Sequence, residues 1–311
     1  MFDKTQLLRK LKKFKAKKIF IQVPEGLKMQ VLDIAEFLQS KGFEAFVCIE
    51  PCYGACDIRD DEALRTGCDL ILHFGHSDFG VKTNVPVIYE EFRVDVDVIP
   101  LLKKNLHILK HYKNIALVTT LQYVSALDKV KRFLESFDKN IFIGKSRKTK
   151  HPGQVLGCDY SAAESVEAKV DCFLFFGSGR FHPLGLSLRV NKPVLFLDLE
   201  TGKIENLESE KQRIERIRFM QIEKAKTCKR FGILVSTKPG QARPKLAEKI
   251  HLSLRKTGRK AWILVADEIK PEKLLGLDIE CLINTACPRI TDDFRIFKKP
   301  ILSPEELEKI L

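Results

Sequence analysis

Nine cysteines lie at positions 48, 52, 56, 68, 158, 172, 228, 281 and 287 of a 311-residue chain. Their surroundings sort them. Cys48, Cys172 and Cys281 fall inside apolar runs and read as small buried hydrophobes. Cys68, in Thr66-Gly67-Cys68-Asp69, and Cys228 read as structural. Cys56, Cys158 and Cys287 sit instead in Gly-, Pro- and Asp-containing segments: Tyr53-Gly54-Ala55-Cys56-Asp57, Leu156-Gly157-Cys158-Asp159-Tyr160 and Ala286-Cys287-Pro288-Arg289. They are 102 and 129 residues apart, too far for any local metal motif. Three thiolates gathered from such distances suit a 4Fe–4S cluster with one open iron, or a zinc with one open position. Cys52 with Cys56 opens a C-x₃-C-x₂-C radical S-adenosylmethionine pattern, but the third position is Arg59, so that motif is not completed.

Convergence of this kind needs a scaffold that repeats. Apolar runs over 18–23, 43–49, 69–74 and 85–89 read as strands, with helices over 31–40 and 60–66 between them. The order recurs with strands over 114–119, 141–143, 170–176 and 193–197 and helices over 124–137 and 161–167. A third round has strands over 232–236, 261–265, 279–284 and 300–302 and helices over 243–256 and 271–275. Strands alternating with helices imply parallel sheets, because parallel neighbours need a crossover. The expected fold is α/β: three small homologous repeats, 1–105, 106–205 and 206–311, with parallel sheets around a pseudo-threefold axis. Helices over 101–109 and 204–227 are expected to join them. Ligands of such sheets bind beyond the carboxyl ends of the strands, where the three chosen cysteines fall.

Composition narrows the function classes. Hydrophobic residues make up 44% and charged residues 31%, which supports a cored globular protein and excludes a disordered chain or a disulfide-stapled scaffold. The formal net charge is +13. The repeats hold 16 basic and 16 acidic, 15 and 10, and 23 and 15 side chains respectively, so the surplus lies in the last two. Seven of the ten residues 9–18 are basic, which reads as a solvated helix face. The overall surplus favours an acidic partner. No apolar run reaches membrane-spanning length and Met1-Phe2-Asp3-Lys4 shows no apolar h-region, so a cytoplasmic location is expected, where thiols stay reduced.

Val23-Pro24-Glu25-Gly26-Leu27, Tyr53-Gly54-Ala55-Cys56, Phe74-Gly75-His76-Ser77 and Cys287-Pro288-Arg289 together resemble the diphthamide synthase family, the 2-(3-amino-3-carboxypropyl)histidine synthases. The match is spread over the whole chain, and its length resembles the archaeal single-subunit form. The resemblance implies three homologous α/β domains, each giving one cysteine (Cys56, Cys158 and Cys287) to a 4Fe–4S cluster. It also implies an unusual radical reaction. S-adenosylmethionine is cleaved at the bond to its methionine Cγ, and the 3-amino-3-carboxypropyl group goes to C2 of a histidine on translation elongation factor 2. A homodimer and an electron donor follow by analogy. No nucleic acid is required, since no RNA-binding signature is present.

Loop position then suggests the groups that meet S-adenosylmethionine. The turns Gly75-His76-Ser77 and Gly177-Ser178-Gly179 offer backbone N–H groups for a carboxylate or ribose. Ser236, Lys238 and Gln241 follow a strand of the third repeat, with Gln241 the preferred polar contact. Arg180 and Arg289 are candidate carboxylate clamps, or partners of surface acids. Two other readings compete. One is a quinolinate synthase-like cluster enzyme acting on small molecules. The other is a basic zinc protein that binds the ribosome or nucleic acid.

Overall fold

The structure is a computed structural model and describes residues 3–311. The chain divides into two compact units, Met1–Leu207 and Glu208–Leu311. The first unit holds two sheets. Strands β1 (Lys18–Gln22), β2 (Glu44–Val47), β3 (Leu70–Phe74) and β4 (Val87–Glu90) form one. Strands β5 (Asn114–Thr119), β6 (Asn140–Phe142), β7 (Cys172–Gly177), β8 (Val194–Asp198) and β9 (Ile204–Asn206) form the other. The second unit has a single sheet of β10 (Arg230–Ser236), β11 (Lys260–Ala266), β12 (Cys281–Asn284) and β13 (Ile301–Leu302).

The three sheets share one strand order. It runs β2-β1-β3-β4, β6-β5-β7-β8-β9 and β11-β10-β12-β13, so the first strand of each set is always flanked by the second and third. Every pairing is parallel except β8 with β9. The fold is thus α/β with three parallel-dominated sheets, as the alternation of strands and helices leads one to expect. In each repeat the first strand carries apolar side chains on both faces. Ile19 and Ile21 join a core with Leu7, Leu11, Ile34 and Leu38 of the flanking helices, while Phe20 packs with Ile58, Ala63 and Ile71 on the other face. In the second sheet Ile115 and Leu117 face Val130 and Leu134, while Ala116 and Val118 lie beside Phe173 and Phe175 of β7 in the core on the other face. Burial on two faces is why these strands read as continuous apolar runs.

The triplication is written in hydrogen bonds as well. Asp69, the residue before β3, accepts the backbone N–H groups of Lys17 and Lys18 at 2.8 and 2.9 Å through Oδ2. Asp171, before β7, accepts those of Lys113 and Asn114 at 2.9 and 2.7 Å. Glu280, before β12, accepts those of Lys229 and Arg230 at 2.6 and 3.0 Å. Each carboxylate thereby clasps the start of its central strand. Those backbone bonds hold all three carboxyls below their ordinary range.

The expected joining helix over 204–227 needs correction. Its first residues form β9, and the helix is Glu208–Lys226. Gly202, at φ 70°, takes the left-handed turn that sends the chain back antiparallel along β8. Asn105 holds this turn from below: its side-chain amide donates to the carbonyls of Leu101 and Gly202, both at 2.8 Å. The expected helix over 271–275 is a single 3₁₀ turn, Pro271–Leu274, and an unexpected helix, Phe181–Ser187, follows β7.

Candidate functional site

In the first sheet the carboxyl ends of β1, β2 and β3 carry one connected polar network. Gln22, the last residue of β1, is completely buried. Its Nε2 donates to the Asp57 carbonyl at 2.6 Å, which fixes the amide orientation because that carbonyl can only accept. Its Oε1 therefore accepts from the backbone N–H of Arg59 at 3.3 Å and faces His73 Nδ1 at 3.3 Å. His73 must then carry its proton on Nδ1, leaving the Nε2 lone pair toward His76 Nδ1, 2.9 Å away. Burial pushes His76 down to about 4 and His73 well below its usual range, so both rings are neutral.

The loop after β2 brings Cys52 and Cys56 to this edge. Cys52 is 2% exposed, and burial pushes its thiol up to about 12. Cys56 is only partly buried. The segment between them is braced through Asp57, which accepts from the Tyr53 N–H at 3.4 Å and pairs with Arg59 at 3.7 Å. Beyond β3, Gly75 adopts φ 91°, and a Cβ there would meet Pro24 at 2.7 Å. The turn can thus pass close to Pro24 only as glycine.

In the second sheet Cys158 ends a long loop that is knitted to itself. Ser146 Oγ donates to Asp159 at 2.5 Å and accepts the N–H groups of Lys148 and Thr149. Ser161 also reaches Asp159, at 3.0 Å, and accepts from the Arg147 N–H at 2.8 Å. Gly144 has no room for a side chain, since a Cβ would stand 1.9 Å from the Ala162 carbonyl. Gly157 lies against the ring of Phe181, 2.5 Å from a Cβ. Cys158 itself is exposed. The same loop lays Gln154 beside Thr119 at the end of β5. Gln154 is 1% exposed and donates to Ser77 Oγ at 3.3 Å, and its Oε1 has no hydrogen-bond partner among the described residues. Past β7, Ser178 Oγ meets Tyr123 Oη at 3.0 Å, and Gly179 adopts φ 74°.

In the second unit Cys287 follows β12 and is partly buried. Asn284 fixes its backbone: the side-chain amide donates to the Cys287 carbonyl at 2.8 Å, and Oδ1 accepts from Ala286 N–H at 3.0 Å. Beyond the neighbouring strand β10, Ser236 Oγ accepts the Lys238 N–H at 3.2 Å, and buried Gln241 closes a turn onto the Lys238 carbonyl at 2.9 Å. Buried Lys238 reaches Asp267 at 3.9 Å.

Several expected residues thus share an edge within their own unit: Cys56 with the Gly75–Ser77 turn, that turn with the Cys158 loop through Gln154, and Cys287 with Ser236 and Gln241 at the ends of paired strands. Arg180 pairs with Glu205, and Arg289 lies 3.8 Å from Asp293, so each has a surface acid. No disulfide joins any of the nine cysteines, and Cys48, Cys172 and Cys281 are buried as expected. Sequence reading missed Gln22, His73 and Gln154. The first two sit in apolar strands where only the polar residue type marks them, and Gln154 lies in a loop with no signal of its own.

Comparisons with known proteins agree over the whole length. A family model described as putative diphthamide synthesis protein matches residues 23–311. The 2-(3-amino-3-carboxypropyl)histidine synthase of Pyrococcus horikoshii is 40% identical over 99% of this chain and 90% of its own. The 2-(3-amino-3-carboxypropyl)histidine synthase subunit 1 of Schizosaccharomyces pombe is 31% identical, covering 94% of this chain and 69% of its own. Among solved structures, Dph2 from Pyrococcus horikoshii with a 4Fe–4S cluster superposes with a TM-score of 0.93 at 38% identity, covering 100% of this chain and 90% of that one.

Proposed function

The chain belongs to the family of diphthamide synthesis proteins, and from that premise we propose that it is a 2-(3-amino-3-carboxypropyl)histidine synthase. It acts in the cytoplasm, as a homodimer, on C2 of a histidine imidazole in translation elongation factor 2. The net reaction replaces the C2 hydrogen with the 3-amino-3-carboxypropyl group of S-adenosylmethionine, releasing 5'-methylthioadenosine and a proton. No helix among the described residues is long and apolar enough to cross a membrane, and the +13 charge suits an acidic protein substrate.

The observation that carries this reading is the sorting of the cysteines. Cys56, Cys158 and Cys287 are accessible on loops beyond strand ends, whereas five of the other six are buried. Three accessible thiols on braced loops fit the donor set of a cluster with an open iron. When bound by Cys56, Cys158 and Cys287, a 4Fe–4S cluster would supply the single electron that cleaves the sulfonium bond to the methionine Cγ.

The chain's own residues would do the rest. Gly75 N–H is taken by the Glu90 carbonyl at 2.8 Å and Gly177 ends β7, so these two glycines shape their turns, while the backbone at His76–Ser77 and Ser178–Gly179 and the side chains of Ser236 and Gln241 would hold the sulfonium substrate in one orientation. Orientation decides which carbon faces the open iron, so it decides which bond breaks. Gln154 belongs to the same group: its buried Oε1 is an acceptor waiting for a donor such as a ribose hydroxyl or the substrate ammonium.

Anaerobic purification tests the proposal. The protein should be brown, with about four irons and four sulfides per chain. Dithionite should give an S = 1/2 paramagnetic signal and, with S-adenosylmethionine, release methylthioadenosine. A colourless protein that leaves S-adenosylmethionine intact would sink it.

A further inference from the structure

Cys52, His73 and His76 form the one group of three or more histidine, cysteine or acidic side chains in metal-binding proximity among the described residues. One ligand atom from each lies within 4.8 Å of the others. None of the three belongs to the proposed cluster set. Cys52 and His73 are 2% and 0% exposed. We propose that they bind one divalent zinc ion, in a site distinct from the three-cysteine centre.

The donor chemistry fits. One thiolate and two imidazoles are donors of the kinds zinc takes, and three of them leave a fourth tetrahedral position to water. A ring that ligates zinc through one nitrogen usually donates its other N–H to a carbonyl, which fixes the tautomer. His73 has that arrangement already: Nδ1–H points at Gln22 Oε1, and Gln22 is locked by the Asp57 carbonyl and the Arg59 N–H. The Nε2 lone pair is thereby aimed at the space shared with His76, whose Nδ1 is 2.9 Å away. Two nitrogens on one tetrahedral zinc at ~2.0–2.1 Å each stand about 3.3–3.4 Å apart, so a few tenths of an ångström of widening turns this pair from hydrogen-bonded rings into two ligands.

The site also has a mechanical consequence. Cys52 rides on the loop that ends at Cys56, and His76 on the turn that follows β3. A zinc joining them ties the Cys56 loop to the Gly75–Ser77 turn, replacing a weak imidazole–imidazole hydrogen bond with coordination. His76 then serves this tie, and the contacts to S-adenosylmethionine in this turn come from its backbone.

The test uses the anaerobically reconstituted holoprotein, incubated with zinc sulfate and desalted, with zinc and iron counted on the same sample. The expected result is about one zinc per chain in addition to full iron, and a zinc X-ray absorption edge fitted by one sulfur near 2.3 Å and nitrogens near 2.0–2.1 Å. Cys52→Ala should lose the zinc and keep the iron. Gln22→Leu, which leaves all three ligands in place, should weaken zinc retention about tenfold or more. Three outcomes would overturn the proposal: no zinc retained by the wild type, equal zinc in Cys52→Ala, or zinc gained only as iron is lost. The last would put the metal on the cluster thiolates. Because iron is counted separately, a chain that fails to build its cluster is told apart from one that fails to hold zinc.

Discussion

The two ends of the sheets differ in kind. At the amino ends of the central strands β1, β5 and β10 the same device appears three times: an acidic residue at 69, 171 or 280 clasps two successive backbone N–H groups. At the carboxyl ends no side-chain device repeats in this way. The central strands finish in Gln22, Thr119 and Ser236, each with different partners. Even the accessible cysteines leave from different places, after the second strand at Cys56 and Cys158 but after the third at Cys287. One end is held constant because it builds the sheet. The other is free to vary because the chemistry asks something different of each repeat, which is the division expected of parallel α/β sheets.

The largest expected effect separates the two ends outright. Cys158→Ala, at a carboxyl end, should drop iron to background and abolish methylthioadenosine release while leaving the melting temperature of the iron-free chain unchanged. Cys172→Ala, buried at the start of β7, should do the reverse, keeping iron and activity with a lowered melting temperature. Iron retained in the Cys158 variant would remove it from the ligand set and weaken the contrast between the ends.

Gly144→Ala asks whether the Cys158 loop is positioned by the fold or only attached to it. A Cβ would stand 1.9 Å from the Ala162 carbonyl and 2.4 Å from Ser165 Oγ, so backbone must move, at a cost of about 1–3 kcal/mol. Urea unfolding should show that loss, and iron content should fall in the same sample because the loop moves with Gly144. Unchanged iron would mean that the loop finds its place without this close approach.

An alanine at Asp171 probes the other end. It removes both bonds to Lys113 and Asn114 while touching nothing at the carboxyl edge. The melting temperature should fall by about 2–4 °C, with iron and activity per folded chain unchanged. A variant that lost iron would show that the two ends are coupled through β5 or β7.

Much of this architecture is legible in the residues. The central strands could be placed because burial on both faces leaves unbroken apolar runs, and Cys172 and Cys281 could be set aside because they lie within such runs. The exceptions have physical causes. β9 is three residues long and pairs only because the turn at Gly202 returns it to β8, which no local pattern records. Gln22 and His73 are polar residues in buried strands, and their meaning lies in partners 35 and 51 residues away. The clasps did leave a signal, an acidic residue immediately before each third strand, but it emerges only when the three repeats are laid on one another.

The smallest expected effect is a change of slope with pH. Asparagine at 171 keeps an oxygen that accepts both N–H groups, so Asp171→Asn should melt within a degree or two of the wild type at pH 7. What it removes is the charge. Asp171 is held below its ordinary value of 3.8 in the folded chain, chiefly by the bond from the Asn114 N–H. A carboxyl with a depressed folded pKa adds stability above its unfolded value and loses it as pH falls through the folded one. Asp69 and Glu280 are shifted in the same direction by the same kind of bond, so the wild type should lose stability from three clasps as pH drops below about 4. The variant should lose it from two, giving a shallower fall of melting temperature over that window and curves that converge at the acid end. Parallel curves would mean that these exposed carboxylates hold the strands by geometry alone, and that charge has no part in what the three repeats have in common.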